Sequence, residues 1–347
     1  MKVWTRLENY QSNASRPLIL ALGNFDGVHR GHQRILRGIA KRAQEEGGEA
    51  AVLTFYEHPQ RVLHQSTEPA LLTSPQHRLF LLHELGIEAC FLLHFNLEFS
   101  RLTPEQFVEE WVVKRLRVKE VHMGYNAHFG AGRRGDALLM KRLSEKLDFG
   151  FHEAAPVEIG GQFVSSTLIR ASVRRGDLET TSALLDRPFS LFASVVRGKG
   201  RGRKLGYPTA NLKPHSEIMP PRGVYPVEVR EHGYHLDTAP GEKEFEFRPE
   251  SPGPWYRGIL NFGFRPTFGE LEEEPTPEVY LFSFSGEWYG KTVEVVFHPK
   301  LREEKKFPDA AALVQAIGQD VAQAQGYFRE HFTKGGQASI LSSTINP

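Results

Sequence analysis

Apolar and polar positions follow two different rhythms along this chain. Up to about residue 186, short unbroken apolar runs alternate with stretches in which apolar residues recur at helical spacing. Pro17-Leu18-Ile19-Leu20-Ala21-Leu22 opens a strand predicted over Leu18–Phe25. A helix is predicted over Gly31–Glu46, with Ile35, Leu36, Ile39, Ala40 and Ala43 on one side. Ala51–Phe55 reads as the next strand. Ser74 as N-cap, Pro75 at the first helical position and Gly86 past the end bracket a further helix. Ile87–Phe95 is strand-like, and Thr103-Pro104-Glu105-Gln106 starts a helix that carries Phe107, Trp111 and Val112. Val118–Tyr125 and Phe151–Val157 complete the set, with a helix near Asp136–Leu147 between them. Repeated β-α units predict a parallel sheet with helices on both faces and ligands at the carboxyl ends of its strands.

After Leu184-Leu185-Asp186-Arg187-Pro188 the pattern changes. Short alternating runs at Phe189–Val196, Gly223–Val229, Trp255–Phe262, Glu278–Phe284 and Thr292–Phe297 are separated by Gly/Pro-rich turns. Several short strands spaced in this way predict a small antiparallel sandwich or barrel. A helical segment from about Pro308 to Phe332 closes it. The polar, proline-rich residues 231–254 read as an exposed loop. The organisation expected is therefore a first domain over 1–186, a second over 187–332 and a flexible tail over 333–347.

Bulk properties narrow the classes. At 347 residues the chain has room for two cores. A net charge of +1 gives no global argument for nucleic acid or an anionic membrane. Cys90 is the single cysteine, so no internal disulfide can form and a reducing compartment fits; its apolar neighbours predict a packed thiol. There is no apolar core of signal-peptide length near Met1 and no membrane-length apolar run. The expectation is a cytoplasmic protein without nucleic-acid or membrane partners, with a homo-oligomer left open.

The segment Gly23-Asn24-Phe25-Asp26-Gly27-Val28-His29-Arg30-Gly31-His32 carries the first chemistry. A buried strand breaks at glycines, and a helix opens with His29 and His32 on one face. The helix start adds unpaired N–H groups and a positive dipole end, while Gly27 and Gly31 keep bulk away. That combination suits a polyphosphate. Two surface histidines, or a His-x-x-His metal site, are the alternatives; no cysteine or acidic ligand lies nearby at metal spacing. The pattern G-x-F-D-G-x-H-x-G-H resembles the His-x-Gly-His nucleotidyltransferases, most closely their flavin-adenylylating branch. The resemblance implies that Gly23, Phe25, Asp26, Gly27, His29 and His32 surround ATP, with the histidines steadying its phosphates while an acceptor phosphate attacks the α-phosphorus.

Val164-Ser165-Ser166-Thr167-Leu168-Ile169-Arg170 follows the last parallel strand, where its hydroxyls can cap the next helix. It resembles the S-S-T-x-I-R motif of the same family, which implies that Ser165, Ser166, Thr167 and Arg170 close around the leaving pyrophosphate. His58, in Thr54-Phe55-Tyr56-Glu57-His58-Pro59, matches a family histidine near the phosphates. Gly124-Tyr125-Asn126-Ala127-His128-Phe129-Gly130 resembles the segment that holds adenosine or flavin, with Asn126 as the matching residue; Ala127 and His128 depart from the usual aromatic and basic residues. Gly130-Ala131-Gly132-Arg133-Arg134-Gly135 fits G-x-G-x-x-G but starts about five residues after its strand, too late for a dinucleotide fingerprint. A loop is the better reading.

The second chemistry lies in Arg197-Gly198-Lys199-Gly200-Arg201-Gly202-Arg203-Lys204-Leu205-Gly206-Tyr207-Pro208-Thr209-Ala210-Asn211. Glycines alternating with cations can wrap a triphosphate, and Thr209 and Asn211 at spacing two can share one Mg²⁺ with its phosphates. Glu278 shares a strand face with Tyr280, Phe282 and Phe284, where a carboxylate among aromatics is costly unless used. The segment resembles the G-R-x-L-G-x-P-T-A-N motif of riboflavin kinases, and the likeness continues through Gly223-Val224-Tyr225, Asn261–Phe268 and Leu301–Phe307. It implies ATP contacts at Gly198, Lys199, Gly200, Arg203, Gly206 and Pro208, and flavin contacts at Asn261, Arg265 and Arg302. Glu278 would be the base for the riboflavin 5′-hydroxyl.

Together the two resemblances span roughly residues 1–332 and match the bacterial flavokinase/FAD synthetase family. They imply a Rossmann-like parallel-sheet α/β domain and a small antiparallel barrel with a C-terminal helix. The expected substrates are riboflavin, FMN and ATP, with Mg²⁺. A riboflavin kinase with a decayed first site, or a flavin-sensing binding protein, would keep the same outline.

Overall fold

The computed structural model describes residues 1–332 apart from 14, 66–68, 199–201, 203–204, 217, 237–243 and 264–274. The expected tail from 333 lies outside these residues. The chain forms two compact units: Met1–Leu71, Pro75–Ser166 and Tyr234–Arg248 make the first, and Leu72–Ser74, Thr167–Gly233 and residues from Pro249 onward make the second.

In the first unit, β1 (Lys2–Trp4), β2 (Leu18–Leu22), β3 (Glu49–Phe55), β4 (Ala89–Leu93), β5 (Val118–Gly124) and β6 (Gly150–Ala154) lie in the order β1-β4-β3-β2-β5-β6, every neighbouring pair parallel. All five residues of β2 and of β4 are buried, the signature of parallel strands covered on both faces. The free thiol of Cys90 is inside β4, and burial pushes it up to about 12. The chain builds outward from β2 in one direction through β3 and β4, then returns to β2's other side with β5. The crevice at the carboxyl ends of β2 and β5 is thus a topological switch point.

The α-helices of this unit are α1 (Arg30–Glu45), α2 (Pro59–His64), α3 (Pro75–Glu84), α4 (Pro104–Gln106) and α5 (Ala137–Leu147). Four of them lie where the sequence signals put them, and α2 is one that those signals did not mark. Thr103 and Gln106 close a reciprocal capping box on α4, which runs on as a π-helical stretch over Phe107–Arg115. β6 stops at Ala154, short of the Val157 expected from the sequence, and two short strands, β7 (Glu158–Ile159) and β8 (Gln162–Phe163), form a hairpin after it.

Residues 231–254 correct the loop expectation. They contain β12 (Tyr234–Leu236) and β13 (Glu244–Pro249), and β13 pairs antiparallel with β1, Val3 opposite Phe245. Phe247 is fully buried against the rings of Tyr234 and His83, and its amide donates to the Met1 carbonyl at 2.8 Å. The Glu-Phe-Glu-Phe alternation was the signal; the flanking prolines disguised a half-buried strand that lies between β12 and β1.

In the second unit, which begins at Thr167 within α6 (Ser166–Arg175), α6 and α7 (Leu178–Leu185) lead into β9 (Ser190–Val196), β10 (Ala210–Pro214), β11 (Gly223–Glu231), β14 (Tyr256–Gly263), β15 (Thr276–Leu281) and β16 (Thr292–Phe297). These strands close into a barrel, β10-β15-β14-β11-β16-β9, with every neighbouring pair antiparallel. A long helix, α8 (Ala310–His331), packs its Ala324 and Phe328 over Val224 and Ile259 on the barrel's outer face, with Tyr280 and Phe282 beside them. Among the described residues no helix is long and apolar enough to cross a membrane.

Candidate functional sites

The first site is built by the turn between β2 and α1. Phe25, Gly27 and Val28 all have positive φ, at 49°, 82° and 39°. For Phe25 and the β-branched Val28 that conformation costs about 1–3 kcal/mol each. Both side chains are buried to 1%, so core packing holds the strained backbone in place. Carbonyls of the turn are tied down from behind. Thr54 Oγ1 donates to Asn24 O at 2.9 Å, Arg78 Nη1 to the same oxygen at 2.8 Å, and Gln33 Nε2 to Val28 O at 3.0 Å.

His29 caps α1, its Nδ1 accepting from the amide of His32 at 3.3 Å. A neutral His29 therefore carries its proton on Nε2, as a donor. The His29 and His32 rings stack with centroids 3.6 Å apart and planes 17° apart. Gly31 permits this, because a β-carbon there would lie 3.2 Å from the His29 ring. The shared face expected from the spacing is thus a direct contact. His58 caps α2 in the same manner, its Nδ1 accepting from Gln60 N at 3.3 Å. Glu57 just before it accepts from Phe95 N and meets His94 Nδ1 at 2.8 Å, which fixes the turn.

Ser166, the first residue of α6, donates from Oγ to the carbonyl of Asp26 at 2.9 Å, joining two motifs that are 140 residues apart in sequence. Ser165 is half-buried beside it. Thr167 and Arg170 belong to the second unit, on α6, Thr167 exposed and Arg170 buried. Asn126 is exposed in the turn after β5, where Ala127 N donates to Gly124 O. The G-x-G-x-x-G decoy has a structural use: Gly130 lies against Pro104 and Gly135 against the Phe129 ring, where a β-carbon would come within 2.6 Å and 2.7 Å.

Sequence reasoning missed Arg78. It lies within the apolar run of α3, 3% exposed, and its two Nη atoms hold the carbonyls of Asn24 and Phe55. Burial pulls this guanidinium below the usual arginine range, with the Asp26 carboxylate opposing. An arginine followed directly by Leu79-Phe80-Leu81-Leu82 was the available signal.

The second site lies on the outer face of the barrel, at the margin of the surface covered by α8. Asn211 on β10 pairs with Glu278 on β15, Glu278 pairs with Asn261 on β14, and Asn261 pairs with Val224 on β11. Directly opposed residues share a face, so a carboxylate stands in one row between two amides. Asn211 is buried, Glu278 half-buried and Asn261 exposed, which makes the row a graded opening. Tyr280, two residues along β15, meets Tyr207 edge-on at 5.3 Å. The aromatic face expected for Glu278 is shorter than the sequence suggested: β15 ends at Leu281, and Phe284 packs instead on Tyr256 and Trp288.

The glycine-rich segment folds back on this row. A β-carbon at Gly198 would lie 1.7 Å from Asn211 Nδ2, and one at Gly202 would lie 2.8 Å from Thr209 Oγ1. Gly202 also accepts from the amides of Leu205 and Tyr207, and Gly206 takes φ 84° in the turn before Pro208. Lys199, Gly200, Arg203 and Arg265 lie outside the described residues. Arg302 lies on the segment after β16, its Nε and Nη2 each 2.7 Å from the Asp320 carboxylate.

The donor set can be tested against a metal. Among the described residues no group of three or more His, Cys, Asp or Glu side chains is arranged to hold an ion. A hydroxyl and an amide oxygen beside a glycine-lined space are the sparse oxygen set that Mg²⁺ accepts when phosphates supply further ligands. Thr209 and Asn211 fit that requirement.

Comparison with known proteins agrees over both units. The FAD synthetase family model matches residues 11–168 and the riboflavin kinase family model residues 185–328. The chain is 33% identical to the bifunctional riboflavin kinase/FMN adenylyltransferase of Bacillus subtilis over 315 residues, covering 89% of this chain and 92% of that one. It is 31% identical to the Escherichia coli protein of the same description, covering 94% and 98%. A solved Streptococcus pneumoniae structure described as a macrolide-efflux protein superposes with a TM-score of 0.74 at 28% identity, covering 95% of this chain and 99% of that one.

Proposed function

Since the chain belongs to the bifunctional riboflavin kinase/FMN adenylyltransferase family, we propose that its two sites act in sequence on one flavin. The barrel site phosphorylates riboflavin to FMN with ATP, and the switch-point site adenylylates FMN with a second ATP to give FAD and pyrophosphate. The observation that supports this most is the Asn211–Glu278–Asn261 row, a base between two polar neighbours beside a glycine-lined segment.

In the kinase step, Glu278 takes the proton of the riboflavin 5′-hydroxyl as that oxygen attacks the γ-phosphorus. The γ-phosphorus bond to the β-bridging oxygen breaks and ADP leaves. Thr209 and Asn211 would hold Mg²⁺, which when bound neutralises charge on the nucleotide phosphates. Gly198, Lys199, Gly200, Arg203, Gly206 and Pro208 are assigned to the ATP side, and Asn261, Arg265 and Arg302 to the flavin side.

In the adenylyl step, a phosphate oxygen of FMN attacks the α-phosphorus and pyrophosphate departs. His29 and His32 stabilise the phosphates through imidazole N–H donors, with His58, Gly23, Phe25, Asp26, Gly27 and Asn126 around the nucleotide. Ser165, Ser166, Thr167 and Arg170 are assigned to the leaving pyrophosphate. The acceptor phosphate is already anionic, so no general base is required. We assign the adenylyl chemistry to residues 1–186 and the kinase chemistry to residues 187–332, and place the enzyme in the cytoplasm, where a buried lone thiol such as Cys90 stays reduced.

The test uses the purified full chain with riboflavin, ATP and Mg²⁺, followed by chromatography of the flavins. FMN should appear first and FAD after it. Accumulation of FMN with no FAD overturns the adenylyl assignment, and failure to form FMN overturns the kinase assignment.

A further inference from the structure

Helix α8 buries a stripe of Ala316, Asp320, Ala324 and Phe328, and one member of that stripe is a carboxylate. A charge in such a position is expensive unless it is fully matched, and stability alone would favour an apolar residue there. Asp320 is 4% exposed and is matched by a single partner geometry: Arg302 Nε to Oδ1 and Arg302 Nη2 to Oδ2, both at 2.7 Å. A planar fork held at both prongs cannot rotate.

Arg302 is also fixed through its backbone. Its carbonyl accepts from Val224 N at 2.9 Å, and Leu301 N donates back to Val224 O at 2.8 Å. Val224 is the residue opposite Asn261, next in the row that contains Glu278. Farther along the same segment, the Glu304 carboxylate lies so close to Gly263 that a β-carbon there would fall 2.1 Å from Oε1. The segment Leu301–Phe307 therefore runs beside the Asn261 end of the row. With three N–H groups of Arg302 engaged by Asp320 and the Glu303 carbonyl, one remains on each Nη atom for a ligand acceptor.

We propose that Asp320 is a positioning residue for the flavin side of the kinase site: it holds Arg302 and the Leu301–Phe307 wall in the orientation that receives riboflavin. This rests on the kinase reading of the barrel site. The same helix supplies an internal control. Gly318, two residues before Asp320, lies under the Tyr207 hydroxyl, with its β-carbon position 3.3 Å away. A general displacement of α8 would disturb the ATP-side motif through Tyr207, whereas loss of the Arg302 clamp alone would not.

The experiment is steady-state FMN formation by the full chain carrying Asp320→Asn, Asp320→Glu or Arg302→Lys, with riboflavin and ATP varied separately and a thermal melt for each variant. Asp320→Asn and Arg302→Lys should each raise the KM for riboflavin by about tenfold or more, with the KM for ATP within about twofold. Asp320→Glu should recover part of the loss, and the double variant should be no worse than the poorer single one. An unchanged riboflavin KM in Asp320→Asn, equal rises in both KM values, or strict additivity would overturn the positioning role. A wild-type chain that forms no FMN would instead overturn the kinase reading beneath it.

Discussion

Asn211 and Glu278 are directly opposed residues of adjacent antiparallel strands, and Asn261 opposes Glu278 from the other side. The barrel thus sets the candidate base by strand register, a geometry that a one-residue slip would destroy. Glu278→Gln should keep the fold and the row but remove the proton acceptor. FMN formation should fall by about 10²–10⁴-fold, while FAD formation from supplied FMN continues, both read by chromatography of the flavins. Equal loss of both activities would contradict the division of labour.

His29 combines a structural and a chemical role, because its Nδ1 caps α1 while its ring stacks on His32. His29→Asn preserves a good helix cap but removes the Nε2 donor and the stack. The expected result is an unchanged melting temperature and a loss of about 10²–10³-fold in FAD formation. Riboflavin phosphorylation should be untouched.

Gly202 has no room for a side chain, with a β-carbon placed 2.3 Å from Tyr207 O and 2.8 Å from Thr209 Oγ1. Gly202→Ala must move the Pro-Thr-Ala-Asn segment, at an overpacking cost of about 1–3 kcal/mol. The KM for ATP in the kinase reaction should rise by about tenfold or more. Adenylylation measured with supplied FMN should not change.

His232 is 1% exposed, packed 4.6 Å from Phe192, and burial pulls its imidazole down to about 4, aided by the nearby Arg230 charge. The unfolded chain protonates this residue near 6.5. Between those values the unfolded state binds more protons, so stability is lost as pH falls from about 6.5 to 4, by on the order of 3 kcal/mol when complete. His232→Phe should flatten that acid limb in melts followed from pH 7 to pH 4. A limb as steep as in the wild type would show that other groups cause it.

Phe247 lies on β13, which closes the β1 edge of the first unit from far along the sequence. It is fully buried, so Phe247→Ala should cost about 3–5 kcal/mol, seen as a lower melting temperature and earlier loss of adenylylation on heating. A fragment of residues 1–186, which lacks β13, should be less stable than the same residues in the full chain. Equal stability would mean that this edge pairing contributes little.

Much of this architecture was legible without coordinates, and for identifiable reasons. Runs such as Leu18–Leu22 and Ala89–Leu93 are apolar throughout because both faces of a parallel strand are covered. Caps at Thr103 and Asp136 mark helix starts because they answer orphaned amides locally. The i,i+3 spacing of His29 and His32 announced a shared face, and the stacked rings occupy it. By contrast, what Arg78 and Asp320 hold could not be read locally, since their partners lie on other segments.

Local sequence determined which segments are strands and helices, where they are capped, and which residue types are available for phosphate and flavin chemistry. Such features depend on neighbours within a few positions, where spacing along the chain is spacing in space. Only the tertiary structure decided that Asn211, Glu278 and Asn261 form one row, that Ser166 bonds to Asp26, and that residues 234–248 join the first unit. Those relationships arise from strand register and long-range pairing, which many spacings along the chain could satisfy and one packed arrangement selects.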